Sequence, residues 1–248
     1  MKTVILSGGF GTRISEESQF KPKPMVELGG MPILLHIMKL YSHHGFNEFI
    51  ICADYFLHTS DITYDFTHGR NEMTVHHNSS EPWKVTVVDT GLNTMTGGRV
   101  KRVKEYLGGE PFMLTYGDGV SDLNITELVK FHKSHGKLVT MSAYNAGQRF
   151  GVLDIGEAGR VNEFREKTNG DGNLINIGFM VCQPEFIDLI DGDTTVLEKK
   201  PLETAAKMGQ LMAYKHTGFW QCMDTVREKE QLEKLWASGQ APWKVWDD

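Results

Sequence analysis

The stretch KTVILSGGFGTRISEESQFKPKPMVELGGMPIL covers residues 2–34. It begins with a short β-rich run that ends in two glycines, and it continues through a repeated lysine–proline pair to a second pair of glycines. Glycines directly after a strand allow a sharp turn and expose successive backbone N–H groups to an anion. We therefore expect a strand and turn that bind phosphate.

Two common glycine-rich motifs do not match this stretch. A dinucleotide-binding fingerprint would need glycine where Ile14 stands, and no Gly-Lys-Ser/Thr follows to make a P-loop. An ordinary strand-to-helix turn would explain the glycines, but it gives no reason for Arg13, Lys21 and Lys23 to lie together at the same end of the sheet. The prolines stiffen this segment and hold it extended. The pattern predicts a triphosphate clamp, with Lys21 left at the surface.

Short β-rich runs alternate with helical patterns along the chain. The β-rich runs are TVILSGG (3–9), EFIICA (48–53), FMLTYGD (112–118), LVTMSAY (138–144) and GFMVC (178–182). Apolar residues recur at helical spacing in 32–45 and 125–137. This alternation predicts an α/β fold with a doubly wound, mainly parallel mixed sheet of Rossmann-like type. We expect one domain over 1–248, in which the part after about residue 147 adds a small substrate-binding lobe.

Composition excludes several classes of protein. The 248 residues carry a net charge of −6, which argues against a nucleic-acid partner bound through a broad basic surface. No apolar run is long enough to span a bilayer and no leader pattern opens the chain, so we expect a cytoplasmic protein without a membrane partner. Three well-separated cysteines suggest neither a disulfide framework nor a zinc ribbon.

Asp118 is the first candidate metal ligand. It follows an apolar strand directly, at the edge where parallel sheets bind ligands, and carboxylate oxygens suit Mg²⁺. A turn aspartate between Gly117 and Gly119 is the alternative interpretation. Asp122, four residues later, is expected only to begin a helix.

Several longer blocks resemble the sugar-nucleotide pyrophosphorylases, a family of nucleotidyltransferases. Besides the opening stretch, they are EPWKVTVVDTG (81–91), MTGGRVKRV (95–103), TYGDGVSDL (115–123), RFGVLDI (149–155), EKTNGDGNLINIGF (166–179), GFWQCMDTVREKEQLEKLW (218–236) and APWKVW (241–246). The resemblance runs nearly end to end and is strongest to members that use CTP and glucose 1-phosphate. It implies an enzyme that makes CDP-glucose and pyrophosphate with Mg²⁺ as cofactor. It also implies a homo-oligomer and a role in dideoxysugar synthesis for the O-antigen of lipopolysaccharide.

The resemblance also assigns roles to individual residues. The implied catalytic residues are Arg13, Lys23 and Asp118, and the implied metal ligands are Asp118 and Asp224. The implied nucleotide-binding residues are Leu6, Ser7, Gly8, Gly9, Phe10, Gly11, Thr12, Arg13, Lys23, Thr94, Arg99 and Gly117. The implied sugar-phosphate-binding residues are Gly151, Glu166, Lys167 and Asn176. The nucleotide-binding part would then cover about 1–146, and the sugar-binding part about 147–248.

The chain departs from the family pattern at two places, and two other functions stay open. The family usually has a proline after the position of Lys167, where this chain has threonine, and the stretch after Ala53 is shorter than usual. One alternative is an enzyme of the same fold that uses UTP or dTTP. The other is a non-catalytic module that binds nucleotide sugars, against which Arg13, Lys23, Asp118 and Asp224 argue.

Overall fold

A computed structural model describes most of the chain. It gives residues 1–8, 22–52, 81–145, 156, 159–161 and 174–247, and it gives the backbone of 62–65, 72–75, 152–155 and 162–165.

The described residues alternate between strands and helices. The strands are β1 (Thr3–Leu6), β2 (Glu27–Leu28), β3 (Met31–Pro32), β4 (Glu48–Cys52), β5 (Ile62–Asp65), β6 (Glu72–Val75), β7 (Lys84–Val88), β8 (Phe112–Tyr116), β9 (Gly119–Ser121), β10 (Val139–Asn145), β11 (Val152–Ile155), β12 (Val161–Arg165), β13 (Leu174–Cys182), β14 (Leu211–His216) and β15 (Trp220–Cys222). The α-helices are α1 (Ile33–His43), α2 (Thr96–Arg102), α3 (Lys104–Leu107), α4 (Ile125–His135), α5 (Lys200–Lys207) and α6 (Val226–Ala237). Short 3-10 helices cover Lys23–Met25 and Pro184–Leu189.

A seven-stranded sheet forms the centre, in the order β14-β10-β13-β8-β1-β4-β7. The pairs β14–β10, β8–β1, β1–β4 and β4–β7 are parallel, and β13 runs antiparallel to both of its neighbours. The predicted mainly parallel mixed sheet is therefore confirmed.

Apolar layers cover both faces of this sheet. Alternate residues of β1 point to opposite faces, so Ile5 packs with Ile37 of α1 and Leu128 of α4, while Val4 packs in the layer that contains Val100 of α2. All four residues of β1 are buried, as expected for a strand covered on both sides. No helix in the described ranges is long and apolar enough to cross a membrane.

The register of β1 and β8 positions the site. Leu6, the last residue of β1, is the partner of Tyr116, the last residue of β8. Because the two strands are parallel, Ser7–Gly8 and Gly117–Asp118 leave the sheet side by side at its carboxyl edge.

The segment near the carboxyl end of the chain packs against α1 through a buried histidine. The Nε2 atom of His36 lies 3.0 Å from the carbonyl oxygen of Leu28, and Trp243 Nε1 donates to His36 Nδ1 over 3.3 Å. This pattern requires the neutral ring, with its proton on Nε2. Burial lowers the pKa of His36 to about 4, because the charged ring would lose its hydration.

Acid should therefore weaken the fold through His36. The folded pKa lies below the ordinary value of 6.5, so stability is lost as pH falls from about 6.5 towards 4. The loss from this ring should be about 2 kcal/mol between pH 7 and pH 5. In urea unfolding, the free energy of unfolding should differ less between pH 7 and pH 5 for His36→Gln than for the wild type. The change His43→Gln, at an exposed site of the same helix, is the control. Equal differences for His36→Gln and the wild type would contradict this account.

Candidate active site

Two turns at the carboxyl edge of the sheet form the floor of the site. The N–H of Gly117 donates to the carbonyl oxygen of Leu6 over 2.9 Å, and the N–H of Ser7 donates to that of Cys52 over 3.1 Å. A Cβ on Gly117 would lie 2.8 Å from Ser7 Oγ, so only glycine lets these turns approach so closely. The buried Ser7 hydroxyl has no hydrogen-bond partner among the described residues, which leaves it available to a ligand.

Lys23 joins two carboxylates above this floor. Its Nζ donates to Asp118 Oδ2 over 2.7 Å and also to Asp224 Oδ1. All three side chains are partly buried. Burial lowers the pKa of Lys23, but the neighbouring carboxylates together raise it by more, and the net pKa lies above its usual value. This contact therefore brings one cation and two anionic side chains together.

A small antiparallel ladder brings the two aspartates together. Asp118 directly precedes β9, a single residue separates Asp224 from the end of β15, and Gly119 is the partner of Cys222 in the ladder. The N–H of Met223 donates to the carbonyl oxygen of Asp118 over 2.8 Å. Because the strands are antiparallel, the start of one lies beside the end of the other. Residues that are far apart in sequence therefore share one site.

The start of α6 fixes the backbone of Asp224. Thr225 and Glu228 form a capping box, and the Glu228 carboxylate also accepts from the N–H of Asp224 over 2.9 Å. This contact fixes where the chain turns into the helix.

The aspartate pair suits a divalent cation. Its oxygens already hold the Lys23 ammonium, and Mg²⁺ commonly uses one or two protein carboxylates and takes its other ligands from water and phosphates. Within the described ranges, no group of three or more His, Cys, Asp or Glu side chains forms a fuller protein cage. The donor set fits Mg²⁺ bound together with a phosphate substrate.

Arg99 is a buried cation beside the first glycine turn. Its Nη1 donates to Thr90 Oγ1 over 2.6 Å and its Nη2 donates to the carbonyl oxygen of Leu92 over 3.2 Å. Both partners are neutral, and among the described residues Arg99 forms no ion pair. A Cβ on Gly8 would lie 2.1 Å from Arg99 Nη1. The guanidinium thus packs directly against the turn that is predicted to bind phosphate.

A third group of side chains surrounds Tyr116, which comes two residues before Asp118 in the sequence. The Asn176 Oδ1 atom accepts from the N–H of Gly178 over 2.8 Å, where β13 departs from regular pairing. Gly178 has φ +85°, and a Cβ there would lie 2.3 Å from the Tyr116 ring. Tyr116 donates to Glu198 Oε1, and Thr96 Oγ1 donates to Glu198 Oε2 over 2.8 Å. Sequence reasoning missed Glu198, because no motif surrounds it; Tyr116 had a signal, since it ends a strand beside Asp118.

Some predicted site residues come together, and others lie outside the described ranges. Lys23, Asp118 and Asp224 are in direct contact. Leu6, Ser7, Gly8 and Gly117 are in the two turns of the floor, and Arg99 packs against Gly8. Thr94 lies against Gly98 in the first turn of α2, and Asn176 contacts Gly178. Gly9, Phe10, Gly11, Thr12, Arg13, Gly151, Glu166 and Lys167 lie outside the described residues. The roles assigned to all of them stay predictions.

The expectation for Asp122 is wrong. The N-cap of α4 is Asn124, whose side chain accepts from the N–H of Glu127 over 3.0 Å. Asp122 Oδ1 instead accepts from the N–H of Phe219 over 2.6 Å and lies 3.0 Å from His216 Nε2. Asp122 therefore holds the turn before β15 rather than a helix terminus.

The chain belongs to the nucleotidyl transferase family, whose model matches residues 2–237. Over 260 aligned positions it is 56% identical to the glucose-1-phosphate cytidylyltransferase of Salmonella typhi, covering 100% of both chains. It is 41% identical to the probable glucose-1-phosphate cytidylyltransferase of Bacillus subtilis, covering 99% of this chain and 100% of that one. These findings confirm the predicted resemblance.

A solved structure shows the same fold. A putative glucose-1-phosphate thymidylyltransferase from Bacillus anthracis, in complex with a sucrose, superposes with a TM-score of 0.75 at 14% identity. The match covers 100% of this chain and 98% of that one. At such low identity the likeness concerns the fold alone.

Gly8→Ala tests the contact between the first turn and Arg99. The new Cβ would force the guanidinium away from Thr90, and hydrogen bonds to a charged group contribute about 1.5–3 kcal/mol. We expect CTP to bind about tenfold to a hundredfold more weakly by calorimetry. Gly192→Ala is the matched control, since its Cβ would meet open space. Unchanged CTP affinity in Gly8→Ala would show that Arg99 does not take part in nucleotide binding.

Proposed function

We propose that this protein transfers a cytidylyl group from CTP to α-D-glucose 1-phosphate, giving CDP-glucose and pyrophosphate. The observation that carries the proposal is the contact of Lys23 with Asp118 and Asp224 at the carboxyl edge of a nucleotidyltransferase sheet. The choice of CTP and glucose 1-phosphate rests on the relatives that match the whole chain.

Charge is the main obstacle to this reaction, because it brings two phosphate-bearing anions together. The reaction needs positioning and neutralisation, and no covalent intermediate is required. Lys23 provides an ammonium at the centre of the site, where the α-phosphate of CTP and the sugar phosphate would meet. Arg13 and the glycine amides of the first turn would hold the departing β- and γ-phosphates.

Asp118 and Asp224 would hold Mg²⁺. When bound, the ion supplies charge neutralisation for the phosphates. The two carboxylates have a second role, because they orient the Lys23 ammonium through direct hydrogen bonds.

Arg99 and Ser7 are the side chains best placed to recognise the nucleotide. The Arg99 guanidinium is buried against Gly8 with neutral partners only among the described residues, so a ligand acceptor would add a charge-assisted hydrogen bond. Such a donor suits the acceptor edge of a pyrimidine. The 4-amino group of cytosine would need an acceptor, which a backbone carbonyl can provide.

Further assignments follow from the family resemblance. The product would enter dideoxysugar synthesis for the O-antigen of lipopolysaccharide. The protein would act in the cytoplasm as a homo-oligomer.

A nucleotide-by-sugar matrix tests the substrates. With Mg²⁺, pyrophosphate release should be fastest for CTP with glucose 1-phosphate. The reverse reaction should also run, because one phosphoanhydride replaces another. Higher kcat/KM with UTP or dTTP would overturn the choice of CTP, and no release with any pair would support the non-catalytic module.

Asp118→Asn and Asp224→Asn test the metal site. Each change removes one anionic ligand, so turnover should fall about a hundredfold or more at ordinary Mg²⁺, with partial rescue by higher Mg²⁺ or by Mn²⁺. Mn²⁺ binding followed by electron paramagnetic resonance should weaken in both variants. Asp188→Asn, which breaks an exposed pair with Lys104, is the control. Wild-type Mn²⁺ affinity and activity in Asp224→Asn would make that aspartate a structural residue.

A further inference from the structure

Glu198 lies in a hydrogen-bonded chain that crosses the site. It connects Thr96, in the first turn of α2, with Tyr116, at the end of β8. The helix α2 also carries Arg99, whereas Tyr116 packs against the bulge of β13 that contains Asn176 and Gly178. These hydrogen bonds and packing contacts therefore connect residues that are predicted to bind the nucleotide with residues that are predicted to bind the sugar phosphate.

The donor and the acceptor can be assigned in each of these hydrogen bonds. A carboxylate only accepts, so both Thr96 and Tyr116 must donate their single hydroxyl protons to Glu198. Thr96 Oγ1 in turn accepts from the N–H of Leu197 over 2.9 Å. The Tyr116 hydroxyl is thereby held at Glu198, and the Tyr116 ring packs against Gly178.

The backbone of Gly178 fixes the orientation of the Asn176 amide. Its Oδ1 accepts from the N–H of Gly178, so its Nδ2 is left as a donor on a half-buried side chain. The amide cannot rotate to present its oxygen instead without breaking that contact.

We propose that Glu198 is a positioning residue that acts through Tyr116 to hold Asn176 as a hydrogen-bond donor to a hydroxyl oxygen of the sugar phosphate. This inference rests on the proposed function, because it takes the Asn176 side of the site as the sugar side. It adds a determinant of sugar selectivity that has no direct contact with the sugar.

Glu198→Gln and Tyr116→Phe test the link with little change of shape. The amide introduced by Glu198→Gln can donate as well as accept, so the Tyr116 hydroxyl would no longer have to donate to it. Tyr116→Phe would keep the ring against Gly178 but remove the hydroxyl. Each variant should raise the KM for glucose 1-phosphate about fivefold to tenfold, while the KM for CTP stays within about twofold of the wild type. The double variant should be no worse than Tyr116→Phe alone, because both changes break one chain. Glu203→Gln, in the following helix, is the matched control.

A set of deoxyglucose 1-phosphates, each lacking one hydroxyl, tests whether Glu198 positions the donor for one particular hydroxyl or only stabilises the structure of the site. In the wild type, one analogue should bind about tenfold more weakly than glucose 1-phosphate, and in both variants that difference should shrink to about twofold. Calorimetric binding of the same sugar phosphates gives this comparison without turnover. A wild type that makes no CDP-glucose would reject the proposed function. An equal loss of affinity for every sugar phosphate, or for CTP and the sugar phosphates alike, would overturn the proposed role of Glu198.

Discussion

The attraction between the Lys23 ammonium and the carboxylates of Asp118 and Asp224 is the constraint on which the site depends. Two carboxylates so close to one group would repel each other without a cation between them. Three separate pieces of the fold bring them there: the 3-10 helix that begins at Lys23, the turn after β8, and the turn between β15 and α6. The central sheet supplies the edge, and the β9–β15 ladder supplies the register. The sheet and the ladder together therefore place the Lys23 ammonium between two anionic side chains at that edge.

Several glycines in this protein leave space for neighbouring side chains. Gly8 leaves room for the Arg99 guanidinium, Gly117 for the Ser7 hydroxyl, and Gly178 for the Tyr116 ring. Of these three, only Gly178 has a positive φ, so close approach is the reason for the other two. The small residues in these turns therefore let positively charged and hydroxyl side chains come close to the backbone.

The polar contacts around Glu198 and the apolar layers of the sheet have different consequences. The apolar layers hold the helices against the sheet but are non-directional, so they set position only coarsely. The hydrogen bonds through Thr96, Glu198 and Tyr116 have fixed donors and acceptors, and they join α2 to the end of β8. Reactions that depend on alignment of two phosphates are sensitive to displacements of about 1 Å. Directional contacts between the two sides of the site suit that need.

From the sequence, five of the seven strands of the central sheet could be predicted (β1, β4, β8, β10 and β13), together with Lys23 and Asp118 at its carboxyl edge, whereas β7 and β14 were not predicted. Strands such as β1 and β8 are continuous apolar runs followed closely by glycine, because parallel strands are buried on both faces, so local pattern is enough to identify them. Asp118 could be predicted from its position after such a strand, whereas Asp224 needed the family resemblance. Only the folded structure shows that Lys23 contacts both aspartates, that Asp122 holds a turn rather than a helix terminus, and that Glu198 accepts a hydrogen bond from Tyr116. These contacts join residues from 82 to 201 positions apart, and no local periodicity records which distant strands and turns will meet.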